Sequence, residues 1–300
     1  MTESIIHSIN DKFHIENVAL ENICESFGTP SYVYSKKSIV NSFSQLDSAF
    51  KNHDRLICFA VKANPNIAIL NMLAKLGAGF DIVSGGELQR VITAKGDTKK
   101  VVFSGIGKSE DEIRLALEHD ILAFNVESEA ELYRIQEIAK SMKKIAKISI
   151  RVNPNVDAKT HPYISTGLKD NKFGVDEEKA ISLYALAKNM DSLLIKGIDC
   201  HIGSQITDIS PFIDAITKLV EMIEKLVLMG IEINHIDIGG GIGIDYDDEK
   251  IIKFEEYADA ISPILNKYKL KVIFEPGRAI VGKAGVLLTK VEYIKKNEIK

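Results

Sequence analysis

The sequence predicts an α/β protein built on a (β/α)8 TIM barrel. Two observations support this prediction: the alternation of strand-like and helix-like segments, and the number of these units. Short apolar runs rich in β-branched residues recur along the 300-residue chain, and each is followed by an amphipathic segment. Strands that alternate with helices in this way pair in parallel. Eight such units fit the ~250 residues that a barrel of this class typically occupies.

The eight predicted strands are Ile57–Lys62, Phe80–Ser84, Val101–Gly105, Ala123–Val126, Ile148–Asn153, Gly197–Ile202, His235–Gly239 and Lys271–Glu275. The predicted helices between them are Ala68–Leu76, Gly86–Ala94, Glu110–Glu118, Glu129–Ser141, Glu177–Asn189, Pro211–Met229 and Phe254–Tyr268. An open doubly wound sheet is the alternative. It usually begins with a glycine-rich first turn, whereas the first strand here ends in Lys62.

Residues 37–278 are assigned to the barrel, and the flanks 1–36 and 279–300 to a second, β-rich domain. Ser31–Ser35 alternates as a strand does, and Val286–Tyr293 is apolar and β-branched, which predicts another strand. Two or three strands make a poor independent sheet. We therefore expect this C-terminal and N-terminal β domain to be incomplete, as in a chain truncated at its C-terminus.

Composition and charge exclude several classes of protein. The net charge is −4 and no long basic run is present, which argues against nucleic acid or anionic membranes as partners. Three scattered cysteines without a CxxC pair fit a reducing compartment and argue against a zinc site. We see no signal peptide and no apolar run of membrane-spanning length. A cytoplasmic protein without a bound metal is expected.

In this fold the chemistry lies at the C-terminal ends of the barrel strands. The polar residues predicted there are Lys62, Asp81, Ser84, Arg151, Asn153, His201, Ser204, Gln205, Asp237, Glu275 and Arg278. Each has an ordinary structural explanation, because a strand-end lysine commonly reaches water and a lone histidine is commonly a hydrogen-bonded interior residue. If the first strand is buried, desolvation is expected to lower the pKa of Lys62.

The occurrence of all these polar residues together at the strand ends is harder to explain by structural roles alone. Phosphate sites in such barrels tend to lie after strands seven and eight, where Gly239-Gly240-Gly241 and Arg278 fall. Glycines let backbone N–H groups approach an anion, and arginine binds phosphate. A lysine, a phosphate cradle and the acid Glu275 together predict a pyridoxal 5'-phosphate site. His201 would stack on the ring, and Ser204 would donate to the phosphate.

These residues resemble the fold-type III pyridoxal phosphate decarboxylases, and among them the diaminopimelate decarboxylases. The motifs that carry the resemblance are Phe59–Asn64, His201–Gln205, Gly239–Gly241, Glu275–Arg278, Arg151–Asp157, His161–Leu168 and Asn171–Gly174. It covers the whole chain and implies a barrel like that of alanine racemase. It also implies decarboxylation of meso-2,6-diaminoheptanedioate to L-lysine and CO2, the last step of lysine biosynthesis.

The resemblance also implies roles for individual residues. Lys62, His201 and Glu275 would be catalytic. The cofactor-binding residues would be Lys62, Asp81, His201, Ser204, Gly239, Gly240, Gly241, Glu275, Gly277 and Arg278. Arg278 would in addition contact the distal carboxylate of the substrate. The family is commonly a homodimer with sites shared across the interface.

One departure from the family pattern stands out. Members carry a cysteine followed by an acid, and substrate-reading arginine and tyrosine residues, beyond the segment Glu275–Arg278. This chain has 22 residues after Arg278 and none of those features among them. We therefore expect the chain alone to keep much of the cofactor cradle and to decarboxylate poorly.

Three alternatives stay open at this point. A related decarboxylase of ornithine, arginine or a polyamine precursor is the closest rival. A catalytically silent relative that acts through partners is disfavoured, because it would not need Lys62, His201, Glu275 and Arg278 together. An amino-acid racemase is disfavoured because it would be expected to lack a glutamate at the pyridine nitrogen.

Overall fold

The structure is a computed structural model that describes residues 5–157, 172–246 and 251–296. Its strands are β1 (Ile6–Ile9), β2 (Lys12–Ile15), β3 (Val18–Ala19), β4 (Ser31–Tyr34), β5 (Arg55–Ala60), β6 (Gly79–Ile82), β7 (Val101–Phe103), β8 (Ala123–Val126), β9 (Ala146–Arg151), β10 (Leu193–Asp199), β11 (His235–Asp237), β12 (Lys271–Phe274) and β13 (Gly285–Leu288). The segment 161–168 and Asn171, both parts of the family resemblance, lie outside the described residues.

The helices alternate with these strands along most of the chain. They are α1 (Leu20–Phe27), α2 (Lys36–Ala49), α3 (Ile67–Lys75), α4 (Gly85–Thr93), α5 (Glu110–Glu118), α6 (Glu129–Ser141), α7 (Glu177–Ala187), α8 (Ser210–Leu228), α9 (Phe254–Leu265) and α10 (Arg278–Val281). None of the helices in the described part of the chain combines the length and hydrophobicity that crossing a membrane requires.

Strands β5 to β12 form a closed barrel in which every neighbouring pair is parallel, and β12 pairs with β5 to complete the ring. The predicted (β/α)8 barrel is therefore confirmed. One large hydrophobic core lies between the strands and the surrounding helices. One face of β5, the first barrel strand, contributes the fully buried Phe59 to this core. The opposite face of β5 contributes Cys58 to the barrel interior. The alternation of side chains along the strand produces this division.

The flanks form two small sheets outside the barrel. Strands β1, β2 and β3 make an antiparallel sheet near the N-terminus, which the sequence did not predict. Strand β4 pairs antiparallel with β13, so the two predicted flanking strands meet. The prediction for the second was too long, because β13 ends at Leu288 instead of Tyr293. Leu288 lies opposite Ser31, and the residue before Ser31 is Pro30, which has no N–H to continue the ladder.

Side-chain caps define where several barrel helices begin. The hydroxyl of Ser84 accepts a hydrogen bond from the Glu87 N–H at 3.2 Å and starts α4. At α5, Ser109 and Glu112 form a reciprocal capping box. Such caps satisfy N–H groups that have no partner within the helix. Ser84 therefore has a structural role close to the site.

Candidate active site

Lys62 lies just beyond the end of β5, at the C-terminal end of the barrel. The prediction that the strand continues to Lys62 was wrong, because β5 ends at Ala60 and a short 3-10 turn covers Val61–Ala63. The Ala60 N–H donates to the Pro276 carbonyl after β12 at 3.1 Å. This bond holds the lysine turn against the loop that follows Glu275.

Asp81 is the charged partner of Lys62. The lysine Nζ lies 3.2 Å from Asp81 Oδ2, and the lysine side chain is 52% exposed while that of Asp81 is fully buried. The nearby Asp81 carboxylate raises the pKa of Lys62, and its attraction outweighs the opposing effect of desolvation. The expectation of a lowered pKa for Lys62 was therefore wrong, although burial does act in that direction. Lys62 is an ammonium group at neutral pH in this structure.

Glu275 lies immediately after β12 and is almost fully buried. The Ser104 hydroxyl and the Asn125 side-chain N–H both reach Glu275 Oε1, each at 3.4 Å. Burial, followed by the neighbouring carboxyl of Asp237, raises the pKa of Glu275 well above its usual range. A cationic partner would therefore decide whether this carboxyl is ionised.

The loop Gly239-Gly240-Gly241 leaves no room for side chains. A Cβ on Gly240 would lie 2.2 Å from the Glu275 carbonyl oxygen, and one on Gly241 would lie 2.6 Å from the Gly203 carbonyl oxygen. Gly239 and Gly241 also have positive φ angles of 67° and 103°. Glycine is required here by both the close approach of neighbouring backbone and the left-handed conformation.

His201 packs against this loop. The Gly240 N–H donates to His201 Nδ1 at 3.1 Å. Burial, followed by Arg151 and Lys62, lowers the pKa of His201 well below its usual range. The imidazole is therefore neutral at neutral pH. Because Nδ1 accepts, its proton is on Nε2.

Arg278 is oriented by two hydroxyl groups. Its Nη2 donates to the Ser204 hydroxyl at 3.4 Å, and its Nη1 donates to the Tyr246 hydroxyl. The Nε–H is buried and has no acceptor among the described residues. Ser204 follows Gly203, which touches the glycine loop, so the guanidinium and the loop belong to one region. A cation with a free buried donor beside a glycine loop fits an anionic ligand.

The structure brings together the residues that the sequence analysis selected for pyridoxal phosphate. An amine, a buried acid and a glycine loop beside an arginine line the same end of the barrel, and these are the kinds of group that the aldehyde, ring nitrogen and phosphate of the cofactor require. Within the described ranges of the chain, the Arg278 Nε–H and the buried oxygen Asp81 Oδ1 have no hydrogen-bond partner, and a polar ligand would meet both. The residues present therefore fit this cofactor.

Known proteins match this chain closely. Residues 36–282 match the family model described as pyridoxal-dependent decarboxylase, pyridoxal binding domain. The chain is 52% identical over 290 residues to diaminopimelate decarboxylase of Haemophilus influenzae, covering 96% of this chain and 70% of that protein. It is 52% identical over 285 residues to the diaminopimelate decarboxylase of Pseudomonas aeruginosa, covering 95% and 69%. The chain belongs to the diaminopimelate decarboxylase family.

A solved structure supports the same relationship. The crystal structure of diaminopimelate decarboxylase from Helicobacter pylori complexed with L-lysine superposes with a TM-score of 0.90 at 46% identity, covering 92% of this chain and 70% of that one. Membership of the diaminopimelate decarboxylase family confirms the predicted family, fold and enzyme class, and pyridoxal phosphate as the cofactor.

Four residues of the site were not predicted from the sequence of this member of the diaminopimelate decarboxylase family. Ser104 and Asn125 contact Glu275. Glu127 forms an ion pair with Arg151. Asp199 lies opposite Asp237 on the adjacent strand. All four lie at or beside strand ends, so the rule that located the other residues could have found them. They were missed because a serine, asparagine or acid near a strand end is common and carries little signal alone.

Glu127 organises the loops around Arg151. Its carboxylate accepts from the Gly105 N–H at 2.9 Å, the Gly174 N–H at 3.0 Å and the Arg151 guanidinium at 3.3 Å. The two side chains are almost fully buried. The Glu127 carboxylate thus connects three segments at the end of the barrel by hydrogen bonds.

We expect Glu127→Gln to lower the free energy of unfolding by about 2–3 kcal/mol, because charge-assisted hydrogen bonds to buried groups are lost. Urea denaturation measures the change. The matched control is Glu129→Gln, which removes a carboxylate from a half-exposed pair with Lys179 and should cost less than about 1 kcal/mol. Equal effects of the two substitutions would contradict the structural role of Glu127.

Proposed function

We propose that this protein decarboxylates meso-2,6-diaminoheptanedioate to L-lysine and CO2 with pyridoxal phosphate, the last step of lysine biosynthesis. One observation carries the proposal. The amine of Lys62, the buried carboxyl of Glu275 and the glycine loop Gly239–Gly241 beside Arg278 meet at one end of the barrel. Family membership supports the reaction, and the Helicobacter pylori relative is complexed with L-lysine, the product proposed here.

Specific residues are proposed to hold the cofactor. Lys62 would hold its carbonyl carbon, Glu275 its ring nitrogen, and Ser204, Gly239–Gly241, Gly277 and Arg278 its phosphate, with Asp81 and His201 flanking the ring. When bound, pyridoxal phosphate withdraws electrons from the substrate carbon whose carboxylate departs. A Cβ on Gly277 would approach the Ala63 Cβ to 2.9 Å, so glycine there keeps the lysine turn and the Arg278 loop in contact.

Lys62 is also placed to handle protons. The reaction breaks the bond to one carboxylate, releases CO2 and needs a proton at the same carbon. Asp81 raises the pKa of Lys62, so the amine holds a proton at neutral pH and can donate it from Nζ. The 3.2 Å ion pair restrains the amine at that position. We propose both holding of the cofactor and proton return for this residue.

His201 and Arg278 would orient the reactants. The bond from the Gly240 N–H to His201 Nδ1 fixes the neutral imidazole beside the glycine loop. The buried Nε–H of Arg278 has no acceptor in the part of the chain that the structure describes. Arg278 would contact the distal carboxylate of the substrate, which ornithine and arginine lack. This contact favours the dicarboxylic substrate over those of the sister decarboxylases.

The assay for the proposed function is release of CO2 and formation of lysine from meso-2,6-diaminoheptanedioate by the purified protein with added pyridoxal phosphate. L-ornithine, L-arginine and L-lysine are the comparison substrates. Because the chain alone is expected to decarboxylate poorly, we expect slow turnover, and only of the dicarboxylic substrate. Preferred turnover of ornithine or arginine would assign the protein to the sister activity and reject the proposed substrate.

We further infer a homodimer, a cytoplasmic location and two structural domains. Tyr32 and Leu287 lie side by side on the β4–β13 sheet and are 72% and 49% exposed, which suits a surface that protein covers. Free cysteines, two of them buried, suit a reducing compartment. The pairing of the two flanks supports a division between 37–278 and the segments 1–36 with 279–300. Light scattering of the purified protein tests the dimer.

A further inference from the structure

Asp237 is a buried acid that lies between the glycine loop and Glu275. It is the last residue of β11 and is fully buried. Its Oδ1 accepts a hydrogen bond from the Gly239 N–H at 3.0 Å. This bond closes the turn in which Gly239 adopts its positive φ angle. The Asp237 side chain therefore helps to set the shape of the glycine loop.

The second oxygen of Asp237 has no such partner. Oδ2 is buried, and no hydrogen-bond donor reaches it within the described residues. Carboxyl oxygens of Asp199, Asp237 and Glu275 lie within 4.8 Å of one another. Three ionised carboxylates at this separation in the buried interior of the barrel would repel one another strongly. A proton held between two of them removes a charge and supplies the missing donor.

The backbone also joins Glu275 to the same loop. The Glu275 N–H donates to the Gly239 carbonyl at 2.7 Å. The glycine turn is thus bonded to Asp237 through its N–H and to Glu275 through its C=O. Gly239 is therefore a direct hydrogen-bonded link between the two acidic residues.

We propose that Asp237 is a positioning residue that shares a proton with Glu275 and couples this carboxyl to the glycine loop. The proposal rests on the proposed function, in which Glu275 faces the ring nitrogen of the cofactor. A cationic ring nitrogen would favour ionised Glu275, and Asp237 then keeps the shared proton within the barrel. The Asp237 side chain thereby fixes the position of the glycine loop relative to Glu275.

The surrounding charges favour a retained proton. Burial raises the pKa of Asp237 to about 7, against the opposing hydrogen bond from Gly239. The titratable and charged groups that face the pair from neighbouring strands and loops are Cys58, Lys62, Asp81, Arg151, Asp199 and Cys200. Two of these are cations and two are further carboxyls, so the cations do not neutralise the four acids Asp81, Asp199, Asp237 and Glu275.

The test is infrared spectroscopy of the protein without cofactor at pH 7, which detects the C=O stretching band of protonated carboxyl groups. The wild type should show this band. Asp237→Asn should remove at least half of it, because its amide oxygen can still accept from Gly239 while its N–H donates to an ionised Glu275. Glu275→Gln should also reduce the band. The matched control, Asp111→Asn on the exposed start of α5, should leave it unchanged.

Absence of the band from the folded wild type would overturn the proposal even if the variants do not fold. An unchanged band in folded Asp237→Asn would overturn it as well. Failure of the proposed function is separable, because the infrared result requires no cofactor and no turnover.

A second measurement tests the coupling to the loop. Fluorescence titration with pyridoxal phosphate should show affinity within about threefold of wild type for Asp237→Asn and at least about tenfold weaker binding for Asp237→Leu, which cannot accept from Gly239. Equal affinities for these two variants would contradict the link between Asp237 and the loop.

Discussion

Replacing Lys62 with alanine is expected to abolish covalent attachment of pyridoxal phosphate and to lower lysine formation on the order of 10³-fold. The reason is that Lys62 supplies the amine at the end of β5, and Asp81 holds this amine 3.2 Å from its carboxylate. Without Lys62 the buried Asp81 has lost its cation. Absorbance of the protein with added pyridoxal phosphate, before and after borohydride reduction, measures the attachment.

Mass spectrometry then identifies the modified peptide. In the wild type, borohydride should fix the cofactor on the peptide that contains Lys62. Lys75→Ala is the matched control, because Lys75 is an exposed lysine in α3 and its loss should leave both absorbance and attachment unchanged. Attachment to another lysine in the wild type, or an unaltered visible band in Lys62→Ala, would show that the assigned residue is wrong.

Introducing a methyl group at Gly240 is the second change with a large expected effect. The new Cβ in Gly240→Ala would lie 2.2 Å from the Glu275 carbonyl oxygen and 3.0 Å from its carbonyl carbon. Both contacts are with backbone, so no side-chain rotation relieves them. The glycine loop or the loop after β12 must shift. Overpacking of this kind costs about 1–3 kcal/mol and occasionally more.

We therefore expect Gly240→Ala to lower the free energy of unfolding by about 3 kcal/mol and to weaken pyridoxal phosphate binding by at least about tenfold. Urea denaturation and cofactor titration measure the two effects. Gly86→Ala is the matched control, because the nearest atom to its Cβ is the Ser84 hydroxyl at 3.9 Å. That substitution should be neutral or stabilising by up to about 1 kcal/mol, since it lies in helix α4. Similar losses at both glycines would contradict the tight loop contact.

The sequence was sufficient for the barrel and for most of the residues near its rim. Lys62 and Glu275 follow apolar strands, and a parallel barrel brings every strand end to the same side. The motif around each residue therefore located it without any knowledge of distances. Strand ends were less accurate, as at β5, where the prediction extended the strand to Lys62 although the backbone turns after Ala60.

The charge states could not be predicted in this way. Lys62 was expected to have a lowered pKa from burial alone, but its side chain is half exposed and Asp81 raises the pKa instead. Asp199, Asp237 and Glu275 lie far apart in sequence and converge only because β10, β11 and β12 are adjacent in the barrel. The energy of a charge depends on distance and desolvation, which a linear pattern does not contain.

The sequence by itself thus determined the fold class, the family and the chemistry of the residues at the strand ends, because hydrophobic periodicity and local motifs are properties of short segments. Only the tertiary structure decided which acid pairs with Lys62, why Gly240 excludes a side chain, and how Asp237 joins the glycine loop to Glu275. The contacts of Lys62 with Asp81 and of Gly240 with Glu275 form between neighbouring barrel strands, and the pairing of those strands sets their separations.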